Sequence, residues 1–418
     1  MRSLFLYMVV LMATANYAFA ENNTNQTAPN DTPVVIATLV SGSFVAGRDY
    51  LVIGTAQVSV DTAASQTGLD IRQTDDVVIE HQTYYTPVAA NERGTMKVCG
   101  VWTAVSGQAL RLLFYRHVNF TGTASANFGA LFALDLTSLG SSNYAFARRT
   151  TDDTLTTTPL DGASITFTPS AASDWLVQSF ALISQQDTTT SGVSRINRSG
   201  EASSVLPESR QESSAADSWF VYAMDRVFSL GAASNTFVEQ SSESVSASHS
   251  RLHSVILALN LNAFNNRAFA YTEADASLSA TNYATELQTV DITPAVNGDV
   301  LLGAYWGFDK NNVGREAEFR VQNYIVGDAQ ADIPAGQTTA NYQFSKGNDA
   351  TDEEPYNLVT VRNMTGGSQY RTDLDGSADS TVGTPAGQHR SLWAVTMELA
   401  ATGAVTRRRS LTMLMVGR

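Results

Sequence analysis

At 418 residues, with 16% charged side chains and a formal net charge of −14, the chain exceeds one domain and suits three units of about 130 residues, each able to bury a core. The acid excess repels phosphate backbones and anionic headgroups, whose binding needs clustered Lys and Arg, and this argues against nucleic acid as a partner. A single cysteine, Cys99, excludes an intrachain disulfide and a cysteine-rich metal site, so packing must hold the fold.

The chain opens with Met1-Arg2-Ser3, an apolar run from Leu4 to Met12 and the small-residue site Ala18-Phe19-Ala20, the parts of a secretory signal peptide. The same segment also reads as the end of a repeat. Arg2-Ser3-Leu4-Phe5 echoes Arg390-Ser391-Leu392-Trp393, and Asn16-Tyr17-Ala18-Phe19-Ala20 is identical to Asn143-Tyr144-Ala145-Phe146-Ala147. Residues 1–20 are therefore either a leader removed after Ala20 or a first β-strand, in which Leu4 to Met12 completes the first sandwich. Leu4 to Met12 is too short for a membrane span, which takes about 20 apolar residues, and no other such run follows. Sequons at Asn22, Asn25, Asn30, Asn119, Asn197 and Asn363 are what chance supplies in a chain this rich in Asn, Ser and Thr, and do not establish glycosylation.

Further along, Asp49-Tyr50-Leu51-Val52, Asp174-Trp175-Leu176-Val177 and Asp299-Val300-Leu301-Leu302 recur at intervals of 125 residues. A second landmark, Ala133-Leu134-Asp135-Leu136, returns as Ala258-Leu259-Asn260-Leu261 and, more loosely, as Thr396-Met397-Glu398-Leu399. The first two copies are followed by Tyr144-Ala145-Phe146-Ala147 and Arg267-Ala268-Phe269-Ala270, read as a loop before the next unit. Apolar residues alternate or form short runs, as in Ile165, Phe167, Trp175, Val177 and Phe180, with β-branched and aromatic types prominent. Ser106-Gly107, Leu230-Gly231 and Gly366-Gly367 supply turns between apolar runs, and no long segment carries helical periodicity with caps. The pattern predicts an all-β chain of three tandem jelly-roll-like β-sandwich repeats of about 125 residues, at 21–150, 151–279 and 280–402, then a tail at 403–418. The longer third interval places an extra surface loop near Asp332 to Glu354. The tail, with Arg407-Arg408-Arg409 and an apolar stretch from Leu411 to Val416, either packs on its own domain or adds a strand to a neighbouring subunit.

Residues able to carry chemistry are scattered. Cys99 lies in the apolar run Val98 to Trp102 and reads as a small buried hydrophobe. His81, His117, His249, His253 and His389 match no zinc spacing, and His249 with His253 reads as a surface pair. A nucleophile elbow and a phosphate-cradling Gly-rich loop are both missing from the sequence. Asp349, Asp352, Glu353 and Glu354, or Asp373, Asp375 and Asp379, are acidic enough for calcium but lack the EF-hand spacing, and read as solvated loop acids. Asp49, Asp174 and Asp299 each open a strand, where a carboxylate is expected to cap nearby backbone N–H groups. No catalytic, cofactor-binding or metal-ligating residue is assigned, and no cofactor is expected.

Taken together, the Asp-aromatic-Leu-Val and Ala-Leu-x-Leu landmarks, the Ala-Phe segment and the Arg-rich apolar end resemble repeat-built structural proteins of tailed phages, especially marine ones. The resemblance covers nearly the whole chain. It implies a decoration, tail-fibre or adhesion component without enzyme activity, and it favours the strand reading of Leu4 to Met12. Val300-Leu301-Leu302 and Thr396 to Leu399 depart from the pattern, so the third unit is expected to have diverged. The function expected is that of an oligomeric, non-enzymatic virion structural protein, in the virion or extracellular, with itself, other surface proteins or host-surface glycans as partners. One alternative is a secreted adhesin or glycan-binding protein using Tyr84 and Tyr85, which requires cleavage after Ala20. Another is a carbohydrate-active enzyme with a carboxylate pair in the third unit's long loops.

Overall fold

A computed structural model describes residues 16–22, 24–62, 65–79, 83–85, 93–117, 121–186, 190–201, 208–212, 218–245, 249–274, 276–277, 285–309, 316–326, 343–346, 353–378 and 386–400. Leu4 to Met12, His81, Asp332, Asp349, Asp352, Asp379 and the tail at 403–418 lie outside these residues.

The first unit holds β1 Tyr17–Asn22, β2 Gln26–Ala28, β3 Val34–Leu39, β4 Asp49–Val60, β5 Thr67–Gln73, β6 Thr83–Tyr85, β7 Arg93–Thr103, β8 Leu110–Arg116 and β9 Ala124–Asp135. The second holds β10 Tyr144–Arg149, β11 Asp153–Thr154, β12 Leu160–Phe167, β13 Ser173–Gln185, β14 Ser191–Arg198, β15 Glu208–Glu212, β16 Ser218–Leu230, β17 Asn235–Glu243 and β18 Ser250–Asn260. The third holds β19 Arg267–Thr272, β20 Ala276–Ser277, β21 Thr285–Ile292, β22 Gly298–Asp309, β23 Glu316–Ile325, β24 Gln343–Lys346, β25 Glu353–Met364, β26 Tyr370–Ala378 and β27 Ala386–Thr396.

Strand pairing repeats in each unit. The first has one sheet ordered β1-β9-β4-β7, with β2 also on β9, and a second ordered β3-β8-β5-β6. The second unit repeats this as β10-β18-β13-β16 and β12-β17-β14-β15, and the third as β19-β27-β22-β25 and β21-β26-β23-β24. All pairs are antiparallel, and the last strand of each unit sits between the first strand and the long fourth strand, which is the wrapping of a jelly roll. The chain is thus all-β and built from three jelly rolls, as the periodicity predicts. Among the described residues one backbone pair, Arg210 with Glu353, joins β15 to β25 and merges one sheet of the second unit with one of the third.

Two registers differ from the sequence reading. Tyr144–Arg149 and Arg267–Thr272 are strands paired with β18 and β27, so the seams fall before Tyr144 and Arg267, one strand earlier than residues 151 and 280. Thr396 faces Val300 as Asp135 faces Tyr50 and Asn260 faces Trp175. The third landmark is therefore Ala394-Val395-Thr396-Met397, two residues before the tetrapeptide chosen for its Leu, and Met397 takes the buried place of Leu136 and Leu261.

Each sandwich has its own interior. Val52, Leu69, Ile71, Leu112 and Phe114 fill the first, Trp175, Val177, Ile196 and Phe237 the second, and Val300, Leu302, Trp306 and Leu374 the third. The outward faces of the three β4, β13 and β22 sheets are buried as well, against one another. Leu51, Ile53 and Phe132 meet Leu176, Phe180 and Leu257 and also Leu301, Val359 and Trp393 in one shared core. The units are not beads in a row but lobes around a common centre. At one equivalent position there, cross-strand pairs trade volume: Ile53 with Phe132, Gln178 with Leu257, and Gly303 with Trp393. A Cβ on Gly303 would run into the Trp393 indole, so that pair works only as glycine and tryptophan.

A buried ion pair crosses this centre. Lys97 Nζ of the first unit lies 2.5 Å from Asp225 Oδ1 of the second, with side-chain exposures of 1% and 0%. Removing one partner strands a buried charge, whereas replacing both with apolar groups leaves none to desolvate. Lys97→Met is expected to lose about 3–5 kcal/mol in urea unfolding, and Lys97→Met with Asp225→Leu to recover most of it. Equal losses in the single and double variants would show that the pair is not coupled.

Candidate functional site

The repeated aspartates mark where the lobes are fastened. In each, one carboxylate oxygen accepts from the residue opposite on the neighbouring strand: Asp49 from Thr103 Oγ1 at 2.6 Å, Asp174 from Ser229 Oγ at 2.7 Å, and Asp299 from Asn363 Nδ2 at 2.9 Å. In Asp174 and Asp299 the second oxygen reaches another lobe. Arg267 Nε of the third unit donates to Asp174 Oδ2 at 2.9 Å, and the Tyr17 hydroxyl of the first unit donates to Asp299 Oδ2. Burial, and then the charge of Asp49, raise the Tyr144 phenol of the second unit. Tyr17, Tyr144 and Arg267 are the first residues of β1, β10 and β19, so each unit's first strand meets the aspartate of another unit in cyclic order. The expected partners were backbone N–H groups; the observed ones are side chains, because the strand start lies at the seam. A carboxylate has acceptor capacity on both oxygens and can serve both directions.

Other contacts reinforce the seams. Between the first and third units, Glu21 Oε2 accepts from Thr360 Oγ1 at 2.7 Å and Arg362 Nη1 at 3.1 Å. Between the second and third, the Arg226 guanidinium lies 4.0 Å from the Tyr271 ring centroid and 3.5 Å from Glu273 Oε1. Tyr271 Oη is 2.9 Å from His389 Nδ1. Burial, helped by the charge of Arg226, pushes the His389 imidazole down to about 4, so it is neutral at pH 7.

The centre itself carries polar groups from all three lobes. Asn357 Nδ2 donates to Ala223 O at 3.0 Å, the Asn357 backbone N–H donates to Thr95 Oγ1 at 3.0 Å, and Thr55 Oγ1 donates to Val359 O at 3.3 Å. Gln178 is the cross-strand neighbour of Asp225. These bonds hold four strands, β4, β7, β16 and β25, from three lobes at one level.

The residues singled out from the sequence do not converge. Cys99 is buried in the shared core, as its apolar run implies. His249 and His253 are buried rather than a surface pair. His249 Nδ1 accepts from the Gln186 backbone N–H at 3.2 Å and its Nε2 lies 2.9 Å from Thr190 Oγ1, while His253 packs edge-on to Phe180. Asp373 and Asp375 are also buried, not solvated. Asp373 accepts from Thr289 Oγ1 at 2.8 Å and from the Tyr324 hydroxyl at 2.6 Å, which occupies both oxygens. The side chains of Tyr84, Tyr85, Glu353 and Glu354 lie outside the described residues. Among the described residues no group of three His, Cys, Asp or Glu is placed to hold a metal, and no helix is long and apolar enough to cross a membrane.

Sequence reasoning missed one buried network, in the second unit. Arg251, fully buried, lies 2.6 Å from Asp153 Oδ2 and 3.1 Å from Glu239 Oε2, and Ser194 Oγ donates to Glu239 Oε1 at 2.9 Å. Burial raises the Glu239 carboxyl against the opposing pull of Arg251. Ala126 and Gly387 hold the equivalent strand position in the other units, so no repeat signalled it.

No protein family profile matches the chain, and no curated protein matches it. Among solved structures, it is similar to the triple jelly roll fold of a turret assembly in an archaeal virus, at 8% identity and a TM-score of 0.21, over 91% of this chain and 92% of that one. It is also similar to Sulfolobus Turreted Icosahedral Virus, at 7% identity and a TM-score of 0.20, over 91% and 92%. PNGF-II matches at 8% identity and a TM-score of 0.27, over 83% and 99%. At these TM-scores the likenesses carry no argument about function, and the fold assignment stands on the strand pairings.

Two outcomes follow from the seams. Asp174 and Arg267 are partly exposed, so a double-mutant cycle of Asp174→Ala and Arg267→Ala in urea is expected to give a coupling of about 0.5–1 kcal/mol. His389 binds a proton in the unfolded chain near pH 6.5 but in the folded one only near 4, so folding stability falls as pH drops from 6.5 to 4, by up to about 3 kcal/mol. The stability gap between wild type and His389→Asn should therefore narrow across that window. A constant gap from pH 7.5 to pH 4 would mean that His389 does not titrate in this way.

Proposed function

We propose that the chain is a non-enzymatic building block of an extracellular or virion surface, in which three fused jelly rolls act as one rigid three-lobed body. The shared core carries this reading. A closed arrangement of like units, each fastened to the other two, is what a cyclic trimer achieves with separate chains, here written into one. Such a body offers three similar but non-identical outer sheets for contact, which suits a lattice position where several neighbours must be held at fixed angles. The partners are copies of itself or other proteins of the same surface. The repeated aspartates supply fastening, which supports a structural rather than a catalytic use for the most regular carboxylates of the chain.

The narrower placement in tailed phages rests on the sequence motifs alone.

Two measurements test the reading. Immunogold labelling and fractionation of the native source should find the chain at constant stoichiometry in purified particles or on the outer cell surface; recovery only from the soluble interior would refute it. Small-angle scattering of the purified protein should fit a single compact body. A profile of three lobes moving independently would overturn the rigid-body element.

A further inference from the structure

We propose that the centre where the three lobes meet binds buried water, held between the Lys97–Asp225 ion pair and the side-chain amides of Gln178 and Asn357. Register brings these groups together. Gln178 of β13 stands opposite Asp225 of β16, Asp225 pairs with Lys97 of β7, and Lys97 stands opposite Thr55 of β4. Asn357 of β25 donates its Nδ2 to the carbonyl of Ala223, two residues before Asp225, and its backbone N–H to Thr95 Oγ1, two residues before Lys97. Residues two apart on a strand share a face, so these groups lie on the faces that carry Phe180, Ala223, Cys99 and Val359 into the shared core.

The protein's own groups leave this cluster incompletely bonded. Asp225 Oδ1 meets Lys97, but Asp225 Oδ2, Asn357 Oδ1 and both ends of the Gln178 amide have no hydrogen-bonding partner among the described residues. Gln57 Nε2, on β4 opposite Thr95, is likewise unpaired. Gln178 is 1% exposed, Asp225 0% and Asn357 3%, so bulk solvent does not reach them. A buried carboxylate oxygen or amide without a partner costs its full desolvation free energy. Turning the amides round does not remove the deficit, because Asn357 Nδ2 is fixed by its bond to Ala223 O and Gln178 has no partner at either end to exchange.

The unpaired atoms are of both kinds. Asp225 Oδ2, Asn357 Oδ1 and Gln178 Oε1 accept, while Gln178 Nε2 and Gln57 Nε2 donate. The ion pair sets the charge of what completes them, since a cation would meet the Lys97 ammonium and an anion the Asp225 carboxylate. A small neutral molecule that both donates and accepts is required. Water is that molecule, and a buried water makes about three hydrogen bonds to groups of this kind. The spacing suits it as well. Residues opposite each other on antiparallel strands have Cβ atoms about 4.5–5.5 Å apart, yet the Gln178 amide makes no bond to Asp225 Oδ2, a separation that one water bridges.

The site belongs to this particular set of three lobes. Where the second unit places Gln178 opposite Asp225, the first places Ile53 opposite Cys99 and the third Gly303 opposite Val359. The polar groups of the second unit thus face apolar equivalents at their own level, and Lys97 and Asn357 reach them from two residues further along their strands. Water bonded there joins the lobes into one network and is sealed in when they close. Its exchange with solvent requires the lobes to part, so its residence time measures the rigidity of the three-lobed body. The inference rests on the shared core and not on where the protein is located.

A high-resolution crystal structure of the full wild-type chain is the first test. Solvent density is expected within hydrogen-bonding distance of both Asp225 Oδ2 and the Gln178 or Asn357 amide. The second test is magnetic relaxation dispersion of water in solution, which detects water held for long times. The wild type should show slowly exchanging water, and Gln178→Leu, once its urea unfolding curve shows it folded, should show less. Direct bonding of Gln178 to Asp225 or Asn357 with no solvent between them overturns the proposal, as does an ion or other solute in that density. Equal dispersion in the wild type and in folded Gln178→Leu also overturns it. If Gln178→Leu does not fold, the wild-type crystal structure still decides.

Discussion

The structure depends on one constraint: the β4, β13 and β22 sheets are covered on both faces. An antiparallel sheet in a lone sandwich keeps one face for water and alternates apolar with polar side chains. Here Leu51, Leu176 and Leu301 point into the shared core while Tyr50, Trp175 and Val300 point into or toward the separate interiors. Each fully buried Leu or Phe in this centre contributes about 1.5–3 kcal/mol, and none of it is available to a lobe standing alone. The lobes are therefore stable as a set, and their relative positions follow from the packing. Apolar packing by itself tolerates sliding, and the polar groups at the centre remove that freedom. Lys97, Asp225, Asn357, Thr95 and Thr55 each have a hydrogen-bonding partner only in one register.

Around that centre the three seams share a plan but not a chemistry. Aspartates recur at 125-residue intervals; Asp299 accepts from a tyrosine and Asp174 from an arginine, while Asp49 acts on Tyr144 by its charge. Asp174 and Asp299 are each constrained twice, by a cross-strand donor and by the neighbouring lobe. The second and third units add the Arg226 contact with Tyr271 and a continuous sheet through Arg210 and Glu353.

Much of the fold was legible because the repeat is periodic and strands leave a local mark. Asp49, Asp174 and Asp299 set the register correctly, and the number of units followed. The third landmark was misplaced because Leu399 looked like Leu136, whereas pairing counts residues from the turn and puts Met397 there. The Ala-Phe segments were taken for loops because their alternation is short and their partners lie over 100 residues away. The unbroken run Tyr50-Leu51-Val52-Ile53 is apolar on both faces, a mark that the sequence reading used only as a repeat landmark, and a sequence does not say what covers the second face. His249 and His253 were misread for a related reason: their Ser-rich surroundings look exposed, and burial comes from β13 and the residues after it.

Tyr17 lines one cleft with Asp299 and the segment from Thr396 to Glu398. The contacts that join β1 to the third unit, at Asp299, Thr360 and Arg362, span 282 to 341 residues of sequence. A ribosome that has finished the first lobe has not yet made the surface against which Tyr17, Phe19 and Glu21 must pack. That lobe waits through the synthesis of two others with apolar residues of its central sheet uncovered. The interval is a window for the wrong partner, most readily the corresponding face of another nascent copy, and it closes only when β1 meets the third unit.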